Sequence, residues 1–163
     1  MIAALFLVAA SASAQVCDLA SLNNARAVHD ALGRRAAEIV GAAALPPSER
    51  GAHALNALVD PSASFDLGVG DVGRPLGKGL VGVRALVTAM KADQFRFLGW
   101  DYMDGPVDAC TKQSVTVDFV DTADRRISQV EFVFDQGRLV AAKGWQHSFE
   151  GGPMPSPARD PKD

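Results

Sequence analysis

Apolar positions recur at three- and four-residue spacing through Leu22, Ala25, Val28 or His29, Leu32, Ala36, Ile39 and Val40. That period predicts an amphipathic helix with one buried stripe, capped by Asp18 or Ser21 and running to about Val40. Arg26, Asp30, Arg34 and Glu38 fall on its other faces. Pro46-Pro47 breaks the chain, Ser48-Glu49 opens a shorter helix to about Val59, and Asp60-Pro61 stops it. A short strand at Ser64–Leu67 follows. A glycine-rich loop with Gly68, Gly70, Gly73, Gly77 and Gly79 then leads into an apolar helix from Leu80 to Met90.

Beyond Met90 the period falls to two. Phe95 to Met103 reads as a strand, and Asp104-Gly105-Pro106 as a turn. Val115, Val117 and Phe119 alternate with Thr116, Asp118 and Val120 in the next strand. Asp121 to Arg126 is a polar turn, and Val130, Phe132 and Phe134 line one face of the following strand. Asp135-Gln136-Gly137-Arg138 is a hairpin signal, and Leu139 to Phe149 the last strand. Two registers compete there. A three-residue loop sets Val140 and Ala142 beside Phe132 and Phe134; a two-residue loop sets Leu139, Ala141, Lys143 and Trp145 there instead. The first keeps Lys143 off the apolar face and turns Trp145 and His147 outward. Helices first and hairpin-linked strands afterwards predict an α+β domain, with helices packed on one face of a mainly antiparallel sheet.

Length and charge narrow the function classes. At 163 residues, 48% hydrophobic and 21% charged, the chain suits one packed domain. A net charge of −3 without clustered Lys and Arg argues against a nucleic-acid footprint. Residues 1–14 read as a signal peptide: Ile2–Ala10 is an apolar run too short to span a membrane, and Ala12-Ser13-Ala14 is a small-residue cleavage site. The expected organisation is a domain over 15–150 and a disordered tail over 151–163 with four prolines. The expected location is periplasmic or secreted, with no membrane anchor after cleavage. Two cysteines in an exported chain, Cys17 and Cys110, predict a disulfide.

Chemical motifs are weak by comparison. Gly68-Val69-Gly70-Asp71-Val72-Gly73 spells a dinucleotide fingerprint, but Arg74-Pro75 follows where a helix must open, so no cofactor is assigned. The three histidines, His29, His53 and His147, lie on three elements and assign no metal. Trp100 and Tyr102 share a face and suit core packing, a pocket or a dimer patch.

The element order resembles that of the NTF2-like superfamily, with its SnoaL-like and ketosteroid-isomerase-like members nearest in pattern. Three stretches carry the likeness. Leu58-Val59-Asp60-Pro61-Ser62-Ala63-Ser64-Phe65 is similar to the family's entry into its first strand. Gly79-Leu80-Val81-Gly82-Val83-Arg84 is similar to its helix start, and Phe132 to Val140 to its hairpin. The resemblance implies a curved sheet wrapped around helices into a cone with an apolar cavity. Its expected wall is Phe65, Leu67, Val117, Phe119, Val130, Phe132 and Phe134, closed by Leu86 and Met90. The isomerase positions for base and acid fall on Leu67 and Val130, neither of which moves a proton; Asp66 lies one residue from the first. Three functions follow as expectations. The first is a binder of a small hydrophobic molecule. The second is an enzyme of the same fold, with Asp66, Asp101, Tyr102 or His147 as acid–base candidates. The third is a homodimer formed through the outer sheet face by Trp100, Tyr102 and Trp145.

Overall fold

The structure is a computed structural model that describes residues 17–70, 72–97 and 105–149. The expected leader, the tail, and Trp100, Asp101 and Tyr102 lie outside the described residues. Helix α1 spans Ala25–Ala44 and buries Val28, His29, Leu32, Gly33, Ala36, Ile39, Val40 and Ala43. Its cap is Asn24, not Asp18 or Ser21: the Asn24 side chain accepts from the backbone N–H groups of Arg26 and Ala27. Asp18 is occupied elsewhere, in a two-pronged ion pair with Arg35 at 2.6 and 3.0 Å. Helix α2 spans Glu49–Leu58 with Ser48 as its cap.

The sheet has six strands: β1 (Val59–Val69), β2 (Pro75–Lys78), β3 (Gln94–Phe97), β4 (Gln113–Asp121), β5 (Arg126–Asp135) and β6 (Arg138–Ser148), in the order β2-β1-β6-β5-β4-β3. Every pairing is antiparallel except β1 with β6. Helix α3 (Gly79–Met90) returns the chain across β1 and β2. The fold is therefore α+β, with helices on a mixed, mainly antiparallel sheet.

Strand β2 escapes a reading by periodicity because it lies inside the glycine run. Val69 and Val72 exchange backbone hydrogen bonds of 3.1 and 3.3 Å, closing a β1–β2 turn with Gly70 at φ +59°. The glycines thus turn a hairpin and then bring α3 close to the sheet. A Cβ added at Gly82 would sit 2.4 Å from the Phe65 ring and 2.8 Å from the Gly77 carbonyl oxygen. Only glycine permits that approach.

The β5–β6 hairpin departs from both expected registers. Asp135 pairs with Arg138, and Gln136 and Gly137 both have positive φ, so the loop has two residues. A bulge follows at once: Phe134 pairs with Leu139 but Val133 pairs with Ala141, leaving Val140 extra. Beyond the bulge Phe132 pairs with Ala142, and Lys143, Trp145 and His147 are exposed on the other face. The expected facing of Trp145 and His147 is met by a different backbone route.

Cys17 and Cys110 are bonded, with Cα atoms 5.9 Å apart. The bond belongs to a larger tie. Arg35 grips Asp18 and donates to the Gly137 carbonyl at 2.7 Å, and the Gln136 N–H donates to the Cys110 carbonyl. The N-terminal segment, α1 and the hairpin turn are held at one point. Replacing both cysteines by serine releases a link between residues 93 positions apart, which should lower stability by up to about 4–5 kcal/mol. Denaturant melts of oxidised wild type and the double variant check this; equal midpoints would show that the tie holds without the bond.

His29 is buried on α1, and desolvation lowers its pKa below the usual 6.5. The unfolded chain therefore takes up a proton near pH 6.5 that the folded chain refuses until lower pH. Stability should be full above about pH 6.5 and fall as the pH drops towards the folded value. The carboxylates of Asp18, Asp60 and Asp121 have lowered pKa values through hydrogen bonds, so their contribution is lost only below about 3.8. His29→Gln should flatten the upper window and leave the lower one. Thermal unfolding across both windows measures it.

Candidate functional site

Cross-strand pairing sorts the core-facing residues into rows. Phe65, Ala142, Phe132 and Val115 form one row across β1, β6, β5 and β4. Leu67, Gly144, Val130 and Val117 form the next. Both rows are buried and wholly apolar. Phe119 meets Phe132 edge to face at 5.9 Å. All nine expected wall residues, Phe65, Leu67, Leu86, Met90, Val117, Phe119, Val130, Phe132 and Phe134, belong to one hydrophobic cluster and are 0–3% exposed.

The third row changes character. It reads Val69, Gln146, Ser128 and Phe119. Gln146 and Ser128 are buried, and the Gln146 amide donates to Ser128 Oγ at 3.1 Å and to the Ala89 carbonyl at 3.4 Å. That carbonyl lies in the last turn of α3, where the helix itself supplies no donor. Gln146 thus joins α3 to the sheet while satisfying its own buried amide. Beyond it, Arg126 pairs with Asp121 at 3.1 Å and with Asp124.

A cleft of about 620 Å³ opens at this polar end. It is lined by Leu67, Val69 and Gly70 of the β1 end, Arg74, Ala89 of α3, Arg126 of β5, and Gln146, His147 and Ser148 of β6. The sheet supplies an apolar floor and the strand ends a basic rim.

The individually expected residues divide. Leu67 lines the cleft, and the other wall residues lie in the packed core. His147 is exposed at the rim. Asp66 is half-buried, and its carboxylate accepts the backbone N–H of Arg74 at 3.2 Å, so it braces the β1–β2 hairpin. Asp101 and Tyr102 lie outside the described residues. Trp145 is 39% exposed and its ring covers the space where Gly68 would carry a Cβ. Among the described residues no group of three metal-ligating side chains comes together. Arg74, Arg126 and Gln146 escape the sequence reading because they come from three distant segments. Gln146 alone carried a signal: it continues the inward alternation of Ala142 and Gly144.

No family model and no curated protein matches the chain. Solved structures do, at low identity. A putative isomerase of the SnoaL-like family from Agrobacterium tumefaciens str. C58 is 15% identical, covering 75% of this chain and 99% of its own, with a TM-score of 0.45. A de novo designed NTF2 fold protein is 12% identical over 72% of this chain and 85% of its own, with a TM-score of 0.45. A phenazine biosynthesis-related protein from Pseudomonas aeruginosa is 12% identical over 72% and 78%, with a TM-score of 0.37. None of these likenesses carries a reaction over to this chain.

Proposed function

We propose that the chain is an exported NTF2-like domain that binds a small hydrophobic molecule at the end of its apolar core. The observation that carries this reading is the cleft itself. Its volume falls within the roughly 300–1,000 Å³ usual for small-molecule sites, and its floor is the exposed margin of a continuous apolar face. Val69, 59% exposed, is the apolar residue that the fold leaves most open there. Binding is preferred to catalysis because the Leu67–Gly144–Val130 row, where isomerase-type proton transfer would need carboxyl groups, is apolar and closed. Export is supported by the Cys17–Cys110 bond, which suits an oxidising compartment. No helix among the described residues is long and apolar enough to cross a membrane.

A second reading, a homodimer through the outer sheet face, draws on exposed Trp145, stacked under the Lys143 ammonium at 5.9 Å. Native mass spectrometry of protein from its own host reads both: a retained small mass supports the first, a doubled mass the second.

Two variants separate cleft from core. Phe132→Ala should cost about 3–5 kcal/mol, because the ring is fully buried and packed edge-on to Phe119. Val69→Asp should change stability by less than about 0.5 kcal/mol, since the site is exposed, yet weaken uptake of an apolar fluorescent dye. Denaturant melts and dye titration provide the two readouts. Unchanged dye uptake by Val69→Asp would remove the cleft as the binding site.

A further inference from the structure

Among the described residues, those around the cleft include two arginines and a histidine, and no acidic residue. The two arginines are not equivalent. Arg126 is held by Asp121 and Asp124, and Lys91 also approaches Asp124 at 3.5 Å, so that cluster is close to neutral. Arg74 has no ion pair or side-chain hydrogen bond among the described residues. Asp66, close by in the hairpin, spends its carboxylate on the Arg74 main-chain N–H and pairs in register with Lys143. The Gln146 amide hydrogens are spent on Ser128 and Ala89, so Gln146 does not serve a headgroup.

We propose that the cleft recognises an amphipathic organic acid, with its carboxylate on the Arg74 guanidinium and its apolar body along Leu67, Val69 and Ala89. This names the ligand class of the site proposed above and rests on that reading. A guanidinium with no ion pair among the described residues, beside apolar walls, binds an anion more strongly than one on open surface. Its planar fork matches a carboxylate with two parallel hydrogen bonds. The volume exceeds that of a bare inorganic anion, so the apolar floor must be covered by the ligand's own carbon skeleton. Arg74 sits in the hairpin that joins β1 and β2, where its carbonyl accepts the Leu67 N–H at 3.0 Å, so headgroup and tail sites are tied together by the backbone.

Isothermal titration of the full chain, disulfide intact, with decanoate, decanol and acetate tests this. Decanoate should bind most tightly, decanol about tenfold more weakly, and acetate without measurable heat. Arg74→Gln should bring decanoate down to the decanol level and leave decanol unchanged, and Arg74→Lys should restore part of the difference. Both variants should melt with the wild type, because the Arg74 side chain is exposed and makes no ion pair with a described residue. Decanol binding as tightly as decanoate, or an Arg74→Gln variant that holds decanoate undiminished, would overturn acid recognition while the binding function stands. Absence of binding by both ten-carbon probes would overturn the acid proposal and the binding function together.

Discussion

The register of β6 is the constraint on which the rest depends. The strand lies between β5, which it meets antiparallel, and β1, which it meets parallel. A shift of one residue would turn Leu139, Ala142, Gly144 and Gln146 away from the core and bring Lys143 and Trp145 into it. Three features hold the register. The two-residue turn at Gln136-Gly137 sets the first pair, and the bulge at Val140 resets the phase. Arg138 then donates to the carbonyls of Val59 and Asn56 and approaches Asp60 at 3.5 Å, locking the start of β6 against the start of β1. Part-buried charge-assisted bonds of this kind favour one register over its neighbours.

The same site explains how far the amino-acid sequence was legible. The α1 stripe, the Ser48 cap, the α3 apolar run and the alternation of β4 and β5 could all be read, because each is a local period. The pairing of Cys17 with Cys110 followed from a count of two. The Val140 bulge could not be read, since no residue type marks it: valine suits a bulge no better than a regular strand. The turn at Asp135–Arg138 was visible, but its length was not, and an error of one residue in the loop was offset by the bulge. The orientation of His147 and Trp145 was therefore reached from a wrong loop length. Strand β2 was hidden for the opposite reason. Its residues, Pro75-Leu76-Gly77-Lys78, carry no period, and pairing with β1 alone makes them a strand.

The candidate site was less legible than the fold, for a physical reason. A core row can be inferred from one strand, since every inward residue must be apolar. A cleft rim is assembled from the ends of elements, where alternation gives out and neighbours come from distant segments. Arg74 enters through a hairpin, Arg126 through the first residue of β5, and Ala89 through the last turn of α3. None of these is distinctive in its own surroundings.

The rows also explain where polarity is allowed in this sheet. At Gly144 an added Cβ would lie 2.7 Å from the Gln129 carbonyl oxygen, 2.8 Å from Val130 and 3.2 Å from Leu67. The second row therefore closes over a missing side chain, with Leu67 and Val130 packed into that space. A carboxylate introduced at either position would be buried without a partner, and would hold its proton well above the usual range. One row further out, Gln146 and Ser128 are already hydrogen-bonded to each other, and Gln146 lines the cleft. Polar groups there are buried but satisfied by hydrogen bonds. The transition from closed apolar rows to a bonded polar row thus coincides with the cleft at the strand ends, whose rim carries Arg74 and Arg126.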